Sequence, residues 1–306
     1  MEITDTHNGH NSLTEKLNKL YESENDILIH SGDMTDRGTL QELTEVKNWL
    51  KTLKFKHKIV ISGNMDGIGL DTNKSSKPVN GKELFKDVAT YLEHEEITIN
   101  GVKIFGSPYT PKFVGGFQLK DAKAAREKWS NIPKDIDVLV VHGPPYGQLD
   151  VTSQKRRIGC PELAAVLGLK TDATQTSQTI APKVVIFGHV HASHGFSKHA
   201  ATNTTFINAA QYNGIHGSKK SVTPIVYDLD MCSALFGKRS EQKKNKRAKK
   251  DKNKGSDEEE EAEEEGEGEE APKRLFMNTK ERALKKNCVC KLYSFFFCVA
   301  CFFVKV

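Results

Sequence analysis

The stretch KVVIFGHVH, residues 183–191, sets four apolar residues before a Gly-His-x-His turn. A continuous run of this length fits a strand buried on both faces, and the glycine lets the chain turn where two imidazoles are offered. Three other stretches share the design: DILIHSGD (26–33), HKIVISGNMD (57–66) and DVLVVHGPP (137–145). Each brings glycine and a metal-capable side chain to the end of an apolar run.

Between these runs lie residues 12–23, 39–53, 81–95 and 119–132, where apolar side chains recur at three- and four-residue spacings and predict helices. Strands alternating with helices make an α/β fold, in which ligands gather at the carboxyl ends of the strands. TTFINAAQ (204–211) and PIVYDLD (224–230) are expected to be strands of a second sheet. Only Met1 to Thr4 precede Asp5, so the first strand is expected to be abbreviated, or the chain to lack a few residues there.

The 306 residues suffice for one large α/β domain. The net charge of +5 hides a segregation: residues 238–254 carry ten Lys or Arg against Glu241 and Asp251, and residues 257–270 carry eleven acids and no base. Neither block can bury a core, so both are expected to be solvated and disordered. The division expected is a domain over 1–236, a basic-then-acidic low-complexity segment over 237–274 and an apolar Cys- and Phe-rich tail over 275–306.

The thirteen residues LYSFFFCVACFFV (292–304) fall short of the roughly 20 a spanning helix needs, so no transmembrane span is expected. For Cys288, Cys290, Cys298 and Cys301 the readings are zinc binding, a lipidated anchor, or a tail without function, the last being preferred. With no secretory leader read and only Cys160 and Cys232 in the domain, a cytoplasmic protein is expected, with the nucleus as the alternative if the basic block is a localisation signal. Nucleic acid is a disfavoured partner, because the acidic block competes for the basic one and no aromatic residue is interleaved for stacking.

The strand ends together offer Asp5 and His7, Asp33, Asn64, His142, and His189 with His191. This oxygen and imidazole set, free of thiolate, suits Mn, Fe or Zn, with manganese favoured. Seven donors are too many for one ion, whereas two ions about 3.5–4 Å apart would use them all and suit in-line displacement at phosphorus. A lone histidine at a strand end is more often a hydrogen-bonded residue than a ligand. The order, spacing and glycine context of seven positions override that reading here.

These blocks resemble the calcineurin-like metallophosphoesterases, whose pattern is D-x-H, G-D, G-N-H-D/E, H and G-H-x-H in that order. REKWSNIPKDIDVLVVHGPP, GCPELAAVL, VVIFGHVH and FINAAQYNG followed by PIVYDL further resemble the branch related to class III cyclic-nucleotide phosphodiesterases. The resemblance implies two packed mixed β-sheets flanked by helices. It also implies that Asp5, His7 and His191 hold one cation, that Asn64, His142 and His189 hold the other, and that Asp33 bridges them. The implied activity is hydrolysis of a small phosphoester, a nucleotide being one candidate; the oligomeric state is left open.

One position departs from the pattern. Met65 stands where the family has a histidine that donates to the phosphoryl oxygen, followed by the expected Asp66, and both count among the catalytic positions with Asp33 and Asn64. A thioether is only a weak acceptor, so metal binding is expected to persist while leaving-group protonation suffers. His10 and His194 are candidate stand-in donors, and a catalytically inactive metal-binding scaffold is the rival reading. Tyr109 and the SPYTPKF loop are turn residues or nucleobase contacts. Asp36 is read as a site neighbour or as the cap of the following helix.

Overall fold

The computed structural model describes residues 1–169, 179–211 and 223–229. Cys232, the basic and acidic blocks and the tail with Cys288, Cys290, Cys298 and Cys301 lie outside the described residues.

Strands β1 (Glu2–Ile3), β2 (Ile27–His30), β3 (His57–Val60) and β4 (Thr90–Tyr91) form a parallel four-stranded sheet in chain order. The chain then makes a hairpin of β5 (Glu95–Ile99) and β6 (Val102–Ser107) and the short pair β7 (Thr110–Pro111) and β8 (Gln118–Leu119). With β9 (Val138–Val141), β10 (Val184–Phe187), β11 (Gly195–His199) and β12 (Thr204–Asn208), the hairpin completes a six-stranded sheet ordered β11-β12-β10-β9-β6-β5. Its four inner strands run parallel and its two edges antiparallel. The TTFINAAQ run thus joins the sheet of β9 and β10. From PIVYDLD, Ile225 bridges antiparallel to Glu2, which puts that run beside the first sheet instead.

Alternation along the strands builds the layers. Ile27, Ile29 and Ile59 of the first sheet face Ile104, Val138, Val140, Val184, Ile186 and Ile207 of the second in one apolar cluster. Leu28 and Val60, half a pleat away, pack instead with Leu17 of α1 (Thr14–Leu20) and with Leu43, Val46, Trp49 and Leu50 of α2 (Leu40–Thr52). Leu139, Val141, Val185 and Phe187 point the other way, toward the helices α5 (Ala122–Trp129) and α6 (Pro161–Val166). Two layers of strand, the first parallel and the second mixed, lie between two layers of helix, the short α3 (Gly67–Leu70) and α4 (Gly81–Phe85) lying in the connections.

Helix α2 starts where a capping box is complete: the Glu42 amide donates to Thr39 Oγ1 and the Thr39 amide to Glu42. Thr39, not Asp36, is therefore its cap. The helix expected over 81–95 stops at Phe85, because Thr90 and Tyr91 pair with Ile59 and Val60 at the open edge of β3. Strand pairing of a β-branched and an aromatic residue outweighs the helical spacing there. The helix expected over 119–132 is trimmed to α5 because Leu119 belongs to β8 and Asp121 caps the helix. Over 12–23, a 3-10 turn at His10–Leu13 precedes α1.

His10 is buried with its ring 5.0 Å from that of Trp49, and its Nδ1 has no hydrogen-bond partner among the described residues. Burial pushes its pKa from 6.5 down to about 4. The folded chain therefore keeps His10 neutral, while the unfolded chain takes up a proton below pH 6.5, so this part of the stability is present above that pH and is lost as pH falls. Denaturant melts of a His10→Leu variant are expected to lose about 1–2 kcal/mol less than the parent between roughly pH 7 and pH 5. Parallel pH profiles would remove His10 as the cause.

Candidate metal centre

Every expected ligand lies just past the carboxyl end of a strand. Asp5 and His7 follow β1, Asp33 follows β2, Asn64 follows β3, His142 follows β9, and His189 and His191 follow β10. Backbone bonds lock the loops together: the Asp5 amide donates to Gly32 O at 2.9 Å, His7 to Asp33 O at 3.1 Å and Asn8 to Met34 O at 3.0 Å. Asp5, His7, Asn8, Asp33 and His189 all adopt positive φ, between 43° and 65°. Left-handed backbone in non-glycine residues costs about 1–3 kcal/mol each and survives only where the surroundings over-determine it. Two glycines explain how the carboxylates fit. A Cβ added at Gly63 would strike the Asp33 carboxylate, and one at Gly188 would strike the carboxylate of Asp5 and the side chain of Thr4.

The donors fall into two groups, Asp5 with His7 and His191, and Asp33 with His142 and His189, the donor atoms of each lying within 4.8 Å of one another. In the first, His191 Nε2 is 3.1 Å from Asp5 Oδ1 and 3.4 Å from His7 Nε2. In the second, His142 Nε2 is 3.0 Å from Asn64 Oδ1 and 3.4 Å from Asp33 Oδ2. Asp33 Oδ2 is also 3.8 Å from His7 Nε2, so it faces both groups. Atoms bound to one cation at about 2.0–2.2 Å stand about 3–3.5 Å from each other, so these separations fit a divalent ion in each group.

The far sides of the rings fit as well. His142 Nδ1 donates to Ser31 O at 2.9 Å, and His7 Nδ1 lies 3.1 Å from Asp36 Oδ1, which turns both Nε2 atoms toward the cluster. Asp36 also accepts from Asn8 Nδ2, which in turn donates to Glu42, so the capping box of α2 braces His7 through two side chains. Asn208 holds the His189 loop by donating to Val190 O at 3.0 Å. The Asp36 to His7 contact escaped the sequence reading, although Asp36 stands close behind Asp33 in the chain. Neither Asn8 nor Asn208 carries a signal in spacing.

Charges are balanced inside the cluster. Burial opposes ionisation of Asp5, but the hydrogen bond and charge of His191 outweigh it and hold the carboxyl below the ordinary range. Burial is likewise outweighed at Asp33 by His142, whose own proton is held up to about 9 by that carboxylate. His189 is pushed down to about 4 by burial and by the neighbouring His142.

Asp66, expected among the catalytic residues, is fully buried and accepts from the amides of Met34, Thr35 and Gly63 and from Thr35 Oγ1. It acts on the cluster by clasping the Asp33 loop to the Asn64 loop. The Met65 amide donates to Asp33 Oδ1 at 2.8 Å. His10 is packed on Trp49, and His194 Nδ1 donates to Ala210 O at 2.9 Å.

A strand sandwich that carries carboxylate, amide and imidazole donors at one end is a frame able to hold divalent cations. The family is defined by its sequence: a model of the calcineurin-like phosphoesterases matches residues 1–193, and the chain belongs to that family. Over 250 residues it is 33% identical to metallophosphoesterase domain-containing protein 1 of Homo sapiens, covering 74% of this chain and 69% of that protein. Over 234 residues it is 35% identical to a UPF0046 protein of Caenorhabditis elegans, covering 74% and 73%. Among solved structures, TT1561 of Thermus thermophilus is similar at a TM-score of 0.45 and 12% identity, over 68% of this chain and 86% of that one. In general terms, then, the chain is a metal-dependent phosphoester hydrolase.

Removing a partner that orients a ligating imidazole typically weakens metal binding 10–100-fold. Asp36→Ala is accordingly expected to raise the Mn²⁺ dissociation constant by about that factor, read by metal analysis after dialysis against graded chelator, with circular dichroism unchanged. Undiminished retention would show that His7 needs no such brace.

Proposed function

We propose that the protein is a phosphodiesterase working through two divalent cations, with leaving-group protonation weakened at Met65. One observation carries this reading: the donors divide into two groups with Asp33 Oδ2 facing both. In it, Asp5, His7 and His191 would hold one cation, Asn64, His142 and His189 the other, and Asp33 would serve both; the oxygen and imidazole set suits Mn, Fe or Zn, and manganese is the cation proposed. What such a pair would supply there is a nucleophile and neutralisation of charge at phosphorus. The chain's own groups keep the donors aimed: Ser31 O and Asp36 fix the two rings, and Asp66 fixes the loops.

Residue 65 has a main-chain and a side-chain part to play, and they separate cleanly. Its amide anchors Asp33, which any residue but proline can do. Its thioether has no proton to give a departing oxygen. Of the candidate stand-ins, His10 is enclosed against Trp49 and kept neutral by burial, which argues against it. Esters with acidic aryl leaving groups need little protonation and lose least; alkyl-leaving substrates, cyclic nucleotides among them, lose most. The same methionine is the observation that favours the rival, a metal-loaded scaffold without turnover.

With Mn²⁺ supplied, the parent is expected to cleave bis-nitrophenyl phosphate faster than an Asp33→Asn control, and Met65→His to speed alkyl diesters by about 10²–10⁴-fold while changing aryl diesters little. Alkyl rates unmoved by that replacement at equal metal content would remove the donor argument. Full metal occupancy without turnover above the control would establish the scaffold.

A further inference from the structure

Phe113 is 66% exposed and Val114 beside it 52%, on the loop that joins β7 to β8. Single apolar residues at a surface are ordinary and need no account. This one stands at the cation cluster, its ring 5.6 Å from that of His189 and nearly perpendicular to it, at 87°.

The loop is fastened to the same cluster. The Gly116 amide donates to Asn64 O at 2.8 Å, and Gly115, at φ +89°, lies so close that an added Cβ would strike the same Asn64 carbonyl. The Phe113 amide donates to Gln118 Oε1 at 3.2 Å, and that of Phe117 to Asp71 Oδ2 at 2.7 Å. Phe113 is thus an open aromatic ring carried on a braced backbone, next to one expected cation ligand and tied to another. An aromatic side chain on a braced backbone has few torsions left to fix when a second ring settles on it, so more of the contact made there is retained as affinity.

We propose that Phe113 is a specificity-determining residue of this site, stacking a flat aromatic group, such as a nucleobase, of a phosphoester whose phosphorus lies at the Asp33 cluster. The proposal rests on the hydrolase reading above. It predicts discrimination between phosphoesters that share phosphate and sugar and differ only in the ring.

The test uses the full Mn²⁺-loaded chain with adenosine monophosphate and ribose phosphate as probes. The parent is expected to bind the nucleotide at least tenfold more tightly. Base stacking on an aromatic residue is worth about 1–3 kcal/mol by alanine substitution, so Phe113→Ala should weaken nucleotide binding about 5- to 150-fold. It should leave ribose phosphate affinity and metal content unchanged. Phe113→Trp should restore the preference and report it directly: Trp49 and Trp129 are buried, so red-shifted emission belongs to the new indole, and the nucleotide but not ribose phosphate should quench it.

Equal affinity of the parent for both probes overturns the proposal, as does an alanine variant that binds the nucleotide undiminished or loses both probes together. A tryptophan variant that the bound nucleotide fails to quench overturns it too, even where the alanine variant does not fold. Stacking fails alone if ribose phosphate binds and bis-nitrophenyl phosphate is turned over; if neither happens, the hydrolase reading fails with it.

Discussion

A carboxylate taken out of water must have its oxygens met by donors, or the fold loses several kcal/mol. Asp5, Asp33 and Asp66 are all buried, and each is met by main-chain amides from a loop that follows another strand. His189 donates to Asp5, Met65 to Asp33, and Met34 and Thr35 to Asp66. These acids are fasteners between loops before they are anything else. Their placement accounts for the glycines at 63 and 188, where a Cβ has no room, and for the left-handed backbone at Asp5, Asp33 and His189.

Because the fastening runs through amides, the scaffold tolerates variation in side chains that chemistry would not. Met65 illustrates the separation: its N–H occupies the same structural niche whatever is attached at Cα. A loop can in this way keep its shape while the reaction it serves is slowed or redirected. The arrangement also puts selectivity and reactivity on different segments, since the Phe113 loop touches the cluster through Asn64 O and the His189 ring.

What could be read beforehand was what local chemistry announces. Apolar runs that end in glycine and a donor mark four of the strands whose ends meet and carry Asp33, Asn64, His142, His189 and His191, whereas Asp5 and His7 follow the abbreviated β1, which has no such run. The Asn100-Gly101 turn between β5 and β6, with φ of 50° and 81°, carries the ordinary hairpin signature but sits beside a run whose spacing reads as helix. Thr90 and Tyr91 show why that spacing misleads: their partners Ile59 and Val60 lie 31 residues upstream, and no local pattern reports an unfilled sheet edge. Asp36 was hidden differently. A short acid ahead of a helix suggests a cap, and only the completed box at Thr39 and Glu42 frees it for His7.

Each donor group straddles the sandwich. Asp5 and His7 come from the sheet of β1 to β4 while His191 comes from the other, and Asp33 is likewise matched with His142 and His189. Cations seated in these groups would rivet one sheet to the other at a single rim, leaving the isoleucines and valines between the layers to hold the remainder. Anything that binds only the folded form adds its binding energy to folding. Ion supply would then govern how long each copy of the chain persists as well as how fast it works, and scarcity would loosen the whole sandwich from that rim inward.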